Sequence, residues 1–191
     1  MIVKKIFLLL LLFSLGFQLH AQKVTTGRQT VVVLPGNTAQ HPQQTTRVVN
    51  LTVELMEKLG RFEVLDRRTT DQTLAEIKLK LEGFLDENAV IEIGNLMSSD
   101  IGMVVDLTSF SVEKNRDIKA AQDKTSSEVV VTTRYDAVIE VSLRQFDINT
   151  SKALKTISVR GTGEGDSGVD AEGSAFSSLR SQLFESLKGF Y

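Results

Sequence analysis

The side chains that most often carry out enzyme chemistry are scarce in this sequence of 191 residues, which has two histidines and no cysteine. The missing cysteines exclude disulfides, thiolate nucleophiles and thiolate metal sites. His20 falls in an apolar leader described below, so a Ser-His-Asp triad would have to use His41. No G-x-S-x-G segment accompanies it, and a zinc site built on histidine would lack ligands. We therefore expect His41 to be a solvated loop residue, and we predict no catalytic residue and no metal ligand.

A glycine-rich segment, Gly163-Glu164-Gly165-Asp166-Ser167-Gly168, matches the G-x-G-x-x-G pattern of dinucleotide-binding loops. Glu164 and Asp166 would lie beside an anionic pyrophosphate. The helix predicted after the segment begins several residues too late to point its N-terminus at a phosphate. The strand before it closes a hairpin instead of opening a strand-helix-strand unit. We interpret the segment as a flexible connector and predict no cofactor.

The same segment belongs to a locally acidic stretch with four carboxylates, Glu164, Asp166, Asp170 and Glu172. Carboxylate oxygens are calcium ligands, but the loop-plus-glutamate spacing of an EF-hand is absent. We expect a solvated acidic loop.

Two further charged segments are candidates for ligand binding. Asp66-Arg67-Arg68 offers arginines that bind phosphate or a partner's carboxylate in other proteins. We favour local pairing with Asp66 or Asp71, which would fix a strand-to-helix turn. The segment Glu113–Lys124 carries charges of both signs, and we predict a solvated loop or a short exposed helix.

Residues 1–21 have the pattern of a secretory signal peptide. Lys4-Lys5 precedes an apolar stretch from Ile6 to Phe17, and Leu19-His20-Ala21 supplies a cleavage site. A retained membrane anchor is the alternative, but the apolar stretch is shorter than the roughly 20 residues that span a bilayer. We expect cleavage, leaving residues 22–191 as one exported domain that is long enough to form a hydrophobic core.

The formal net charge is −2, from 24 acidic and 22 basic side chains. Because these charges are scattered, the basic surface that nucleic-acid binding needs is missing, and we predict no nucleic-acid partner.

Hydrophobic periodicity predicts a single α/β domain in which helices pack on a mixed sheet that ends in an antiparallel hairpin. The predicted strands are Thr30–Leu34, Phe62–Asp66, Ile101–Val112, Glu128–Ile148 and Ala153–Thr162. The predicted helices are one capped by Thr45 or Thr46 and ended by Gly60, then Thr69–Leu81, Asp86–Leu96 and about Gly173–Lys188. The first two strands and the helix between them imply a parallel pair joined by a right-handed crossover.

Each predicted element has an expected buried face. Those faces are Val48, Leu51, Leu55 and Leu59 in the first helix; Ala89, Ile93 and Leu96 in the third; Ala137, Ile139, Val141 and Leu143 in the long strand; and Phe176, Leu179, Leu183 and Leu187 in the last helix. The long strand places Glu140, Ser142 and Arg144 on its other face, which indicates one buried and one wet side. In the first helix, Glu54 and Lys58 are spaced for an i,i+4 ion pair.

The order of these segments resembles the CsgG family, the curli production assembly and transport component. The segments that carry the resemblance are VVVLP, LGRFEVLDRR, TLAEIKLKLEG, IGNLMSSDIGMVVDLTSFS and TRYDAVIEVSLRQFDINTSKALKTISVRGTG. It extends over about Val31 to Leu187, and its specificity lies in the ordered set. It implies a periplasmic α/β domain that assembles into a ring, two membrane hairpins per subunit and an N-terminal lipid anchor.

The sequence departs from that family pattern in three places. It has no cysteine to carry the lipid, and the loop before the first helix has His41-Pro42-Gln43-Gln44 where the family has aromatic residues. After Gly161, about a dozen small and acidic residues leave no room for a second hairpin with strands of ~10 residues. The Phe110–Val130 region is long enough for the first hairpin.

The resemblance implies an exported, non-enzymatic component of an outer-membrane secretion or curli-like export system, in the periplasm or at the periplasmic face of the outer membrane. Its partners would be copies of itself in a ring, other envelope or secretion proteins, and the outer membrane. Two alternatives stay open. One is a monomeric module that docks on an envelope partner, as activators of cell-wall synthases and the N-terminal domain of TolB do. The other is a ring-forming pore.

Overall fold

The computed structural model describes residues 27–36, 40–76, 87–120 and 129–189. Within these residues the strands are β1 (Gln29–Pro35), β2 (Phe62–Val64), β3 (Ile101–Ala120), β4 (Val129–Asp147) and β5 (Lys152–Gly165). The helices are α1 (Pro42–Leu59), α2 (Arg67–Glu76), α3 (Glu87–Leu96) and α4 (Gly168–Lys188). In this part of the chain, no helix combines the length and the apolar character that crossing a membrane requires.

The five strands form one sheet in the order β2-β1-β3-β4-β5. β1 is parallel to β2 and to β3, whereas β3, β4 and β5 are antiparallel neighbours. The predicted α/β fold, with a mixed sheet that ends in an antiparallel hairpin, is therefore confirmed. Thr30 and Asp100 join β1 to the start of β3: an Asp100 carboxylate oxygen accepts from the backbone N–H and from the hydroxyl of Thr30, each at 2.8 Å.

Both faces of the sheet are buried near β1. Val31 and Val33 pack with α1 and α4 on one face, and Val32 and Leu34 pack with α3 on the other. A central parallel strand covered on both sides is expected to be apolar at every position, because neither set of alternating side chains reaches water. This burial explains the unbroken TVVVL run.

The long strand β4 is buried on one side, as predicted. Ala137, Ile139, Val141 and Leu143 are all at most 1 % exposed. On the opposite side Glu140, Ser142 and Arg144 are half-buried, so this face is polar but not fully wet.

Arg144 also pairs with a buried carboxylate on the neighbouring strand. Asp106 is 4 % exposed, and its Oδ2 lies 3.1 Å from Nε of Arg144. A Cβ on Gly36 would lie 1.7 Å from Oδ1 of Asp106, so only glycine fits at the end of β1. The Arg144–Asp106 pair therefore requires glycine at the position that follows β1.

Helix α1 begins earlier than predicted, because Pro42 occupies its first turn, where a missing N–H costs nothing. Capping by Thr45 or Thr46 is therefore wrong. Their hydroxyls lie inside the helix and donate to the carbonyls of His41 and Pro42, each at 2.9 Å. Gly60 ends the helix in the left-handed conformation (φ 64°), as predicted.

The buried stripe of α1 is rotated from the predicted one. Thr45, Val48, Val49, Thr52, Leu55 and Met56 are buried, whereas Leu51 and Leu59 are half-buried. Thr52 belongs to this stripe because its hydroxyl is satisfied by the carbonyl of Val48 at 2.9 Å.

The expected face of α3 is wrong at one position, since Leu96 is 59 % exposed. The helix buries the predicted Ile93 together with Val90 and Gly94. A Cβ at Gly94 would lie 2.4 Å from Cδ1 of Ile148. The helix therefore turns its glycine towards Ile148, and this rotation moves Leu96 outwards. Part of the predicted second helix, residues 77–81, lies outside the described residues, as does its connection to α3.

Three alternate glycines of β5 contact the backbone of α4. A Cβ at Gly161, Gly163 or Gly165 would approach α4 atoms to 2.4, 2.1 and 2.6 Å. The glycine-rich segment is thus part strand and part helix start, and the prediction of a flexible connector is wrong. The predicted start of the last helix at about Gly173 is also wrong, since α4 begins at Gly168.

We expect Gly163→Ala to destabilise the fold by about 3 kcal/mol, because the added methyl must push a helix backbone away from the sheet. The matched control is Gly173→Ala, at an exposed position inside α4 with nothing within 4 Å of the new Cβ. That change is expected to stabilise by about 1 kcal/mol through helix propensity. Denaturant unfolding measures both, and equal effects of the two substitutions would contradict the close packing.

Candidate interaction surface

His41 packs against the sheet instead of standing in solvent. It occupies the position before α1, it is half-buried, and its ring meets the ring of Phe110 edge-on with centroids 5.3 Å apart. The predicted solvated loop histidine is therefore wrong. Its contacts are those of a residue that seats the start of α1 on β3.

The end of the glycine-rich segment forms a helix cap. The hydroxyl of Ser167 accepts from the backbone N–H of Asp170 at 3.1 Å and lies 2.6 Å from Oδ2 of Asp170. A helix N-terminus does follow directly, contrary to the sequence expectation. However, the glycines before it face α4, and the cap already engages the first turn.

The four acidic residues do not form one loop. Glu164 pairs with Arg134 on the neighbouring strand, Asp170 belongs to the cap, and Glu172 pairs with Arg47 of α1. Among the residues that the structure describes, no group of three or more side chains is placed to hold a metal ion.

Asp66 and Arg67 fix a turn, which is the arrangement favoured from sequence. Oδ2 of Asp66 accepts from the backbone N–H of Thr69 at 3.0 Å, and Arg67 pairs with Asp71 at 3.0 Å. The carboxylate thus caps α2, and the Arg67–Asp71 pair lies along its first turn.

A polar seam joins α1 to α4 on the outer surface. Arg180 makes a two-pronged contact with Glu54, in which the Nη1–Oε2 distance is 3.0 Å. The guanidinium carbon of Arg47 lies 3.8 Å from the ring centroid of Phe176. Glu54 forms its ion pair with Arg180 of α4 and not, as the sequence spacing predicts, with Lys58. The ammonium group of Lys58 lies over the Phe184 ring, and its charge still helps to lower the pKa of Glu54.

The seam lines an open groove of about 430 Å³ between the helices. Hydrogen bonding from Arg180 lowers the pKa of Glu54 below its usual 4.5, and the nearby charge of Arg180 adds to this effect. The same hydrogen bond raises the pKa of Arg180. The groove is therefore lined by ion pairs internal to the domain.

Strands β3 and β4 continue beyond the rest of the sheet. Their pairing runs to Ala120 and Val129, whereas the pairing of β5 with β4 ends where Tyr135 meets Gly165. Beyond that point the two strands form a two-stranded ribbon. The prediction of a solvated loop or short helix at Glu113–Lys124 is wrong for residues 113–120, and residues 121–124 lie outside the described part.

One face of the ribbon base combines exposed aliphatic and basic side chains. Val112 is 37 % exposed and Val169, in the first turn of α4, is 80 % exposed. Lys114 lies on the same side, because its ammonium group is 5.6 Å from the ring centroid of Tyr135, and Arg116 follows at the strand repeat of two. We call this surface the ribbon patch: Val112, Lys114, Arg116, Tyr135 and Val169.

The packing of α4 on the sheet brings the residues of the ribbon patch together. A Cβ at Gly168 would lie 3.4 Å from Val112 and 3.8 Å from Tyr135, so α4 begins directly over these residues and Val169 follows at their side. Sequence reasoning missed the patch because its members come from three elements. The isolated signal was the aliphatic Val169 among small and acidic residues.

These observations define a single α/β domain with one ribbon projecting from the sheet and an exposed apolar and basic patch at its base. No family model matches the chain, and no curated protein matches it by sequence. The CsgG family in particular therefore receives no support from sequence comparison.

Solved structures do resemble it. Lipoprotein GNA1162 from Neisseria meningitidis matches with a TM-score of 0.56 at 13% identity, over 84% of this chain and 99% of that one. This likeness shows that the two proteins share a fold. Weaker likenesses are to a PelC dodecamer from Paraburkholderia phytofirmans (TM-score 0.48, 10% identity, 86% and 89% covered) and to the LpoB C-terminal domain from Salmonella enterica (0.40, 9%, 75% and 86%).

We expect Arg180→Ala to raise the pKa of Glu54 towards 4.5, because the hydrogen bond that stabilises the carboxylate is lost. The folded-state pKa is depressed, so the stabilisation from this pair is present above the unfolded-state value and disappears as pH falls through the folded-state value. NMR titration of the Glu54 side chain measures the shift. Arg160→Ala, which removes the partner of Glu140 elsewhere, is the control and leaves the pKa of Glu54 in place.

Proposed function

We propose that this protein is an exported, non-enzymatic envelope component that acts by binding other protein surfaces, in the manner of a CsgG-like assembly component of an outer-membrane secretion or curli-like export system. The observation that carries this proposal is the ribbon patch, an exposed group of aliphatic and basic side chains on a hydrogen-bonded ribbon.

The patch has the composition of a protein contact. Aliphatic side chains such as Val169 gain about 25 cal/mol for each Å² removed from water. Tyr135 and Arg116 are of the types that carry most binding energy in interfaces. Because strand pairing and α4 hold the backbone of the patch in place before any partner arrives, binding costs the ordering of side chains but not of the backbone.

The fold and the leader support an envelope location. The chain shares its fold with a protein described as a lipoprotein. Residues 1–21 have the pattern of a cleavable export signal, which would deliver residues 22–191 to the periplasm. The resemblance of the ordered segments to the CsgG family supports a further part of the proposal, which is that copies of the protein assemble into a ring at the periplasmic face of the outer membrane.

Two alternative functions, a docking module and a pore, can be distinguished from a self-assembling scaffold by one experiment. A monomeric module would dock on a different envelope protein. A ring-forming pore would place the segment Phe110–Val130 in the membrane. They differ from a self-assembling scaffold in mass and in detergent dependence.

We expect the exported, processed protein to show a discrete solution mass many times that of its subunit, measured by light scattering without detergent. The physical reason is that the exposed ribbon patch is buried only in an assembly. A mass that rises only in mild detergent would favour the pore, which conductance across a planar bilayer would then test. A monomer under both conditions would contradict self-assembly and leave docking on an envelope partner.

A further inference from the structure

Helix α3 carries a second exposed surface whose chemistry complements the ribbon patch. One side of α3 is buried on the sheet through Val90, Ile93 and Gly94. Its outer side presents residues at the helical spacings of three and four, and it lines a shallow open groove. We call this surface the α3 stripe: Asn88, Ile91, Glu92, Asn95 and Leu96.

The α3 stripe is apolar and acidic. Leu96 is 59 % exposed, Ile91 is half-buried and Glu92 is exposed. Glu87, one turn before Ile91, is exposed as well. The stripe therefore offers the exposed Leu96 at its C-terminal end and two carboxylates, Glu92 and the neighbouring Glu87, with the half-buried Ile91 between them. The ribbon patch offers two aliphatic side chains beside Lys114 and Arg116.

Three acidic residues also lie close to the ribbon patch in sequence, and two of them are engaged in the cap or face the other side of the sheet. Asp170 belongs to the cap with Ser167, and Asp166 lies in the turn before that cap. Glu113 alternates to the other face of β3, where its strand partner is Asp136. The basic side of the patch thus faces outwards.

We infer that the α3 stripe of one copy of this protein binds the ribbon patch of another copy. Leu96 would pack against Val112 and Val169. The carboxylates of Glu87 and Glu92 would approach the cations of Lys114 and Arg116. This inference rests on the proposed self-assembly and names the surfaces that would make it.

The positions of the two surfaces determine the kind of assembly. The ribbon patch lies on the sheet face covered by α1 and α4, whereas α3 packs on the opposite face. Along β3 they are separated by the ten or so residues between Gly102 and Val112, roughly 33 Å of strand. Surfaces that point away from opposite faces cannot both meet the same neighbour.

Each copy would therefore bind one neighbour through its α3 stripe and a different neighbour through its ribbon patch. Such a head-to-tail contact is heterologous, and it closes into a ring when the rotation between copies permits. A two-fold dimer is not its product.

Charge reversal tests the contact on the full exported protein. The stripe variant is Glu87→Lys with Glu92→Lys, and the patch variant is Lys114→Glu with Arg116→Glu. Because each variant sets like charges against each other, we expect each to raise the concentration at which assembly is half complete by about a hundredfold or more. The controls are Glu57→Lys and Lys152→Glu, which reverse exposed charges that belong to neither surface and should assemble normally.

Mixing the two variants provides the decisive measurement. In an equimolar mixture a positive stripe meets a negative patch, and a negative stripe meets a positive patch, so assembly should return in light scattering. Circular dichroism and thermal unfolding establish that each variant is folded before mixing.

The possible outcomes distinguish a failure of the inferred stripe–patch contact from a failure of the proposed self-assembly. If the wild-type protein assembles and both variants assemble equally well, or if folded variants fail to recover on mixing, the inferred contact is wrong and self-assembly stands. If the wild-type protein is a monomer, both the contact and the proposed self-assembly are wrong.

Discussion

The close contact between the glycines of β5 and the backbone of α4 determines where much of the molecule's surface lies. Because Gly161, Gly163 and Gly165 have no side chains, α4 lies directly on the last strand. That depth brings its first residue over Val112 and Tyr135, and it brings Arg180 within reach of α1. The ion pairs of the interhelical seam and the aliphatic group at the ribbon base are both consequences of this one approach.

The two faces of the sheet are stabilised by different physical means. On the face of α1 and α4, continuous burial of aliphatic side chains from β4 and both helices supplies the hydrophobic contribution. On the other face the core is smaller, and β4 carries charged residues there that pair across strands, as Arg144 does with Asp106 and Glu140 with Arg160. The Arg144–Asp106 pair is largely buried, whereas the exposed Glu140–Arg160 pair contributes little to stability. This side of the sheet is therefore more polar than the side covered by α1 and α4.

The sequence pattern predicts elements well where burial alone decides them. The alternation of β4 and the unbroken apolar run of β1 identify both strands and their buried sides. The pattern fails where a glycine lets two elements approach closely. Gly94 rotates α3 and exposes Leu96, and Gly163 is read as a flexible position although a helix backbone lies against it. The ribbon patch is missed for a related reason, since its members meet only once α4 has been placed.

The parallel pairing of β1 with β3 has a consequence for how the chain folds. Thr30 and Asp100, which anchor this pairing, are separated by 70 positions in sequence, so the chain loses much loop entropy before the contact stabilises it. Strands β3, β4 and β5 with α4 are connected locally and can form first. In a chain that is delivered N-terminus first, Val31 to Leu34 of β1 remain exposed to solvent until the residues that cover them have also been delivered. This apolar segment is then the part of the nascent chain most in need of protection from aggregation.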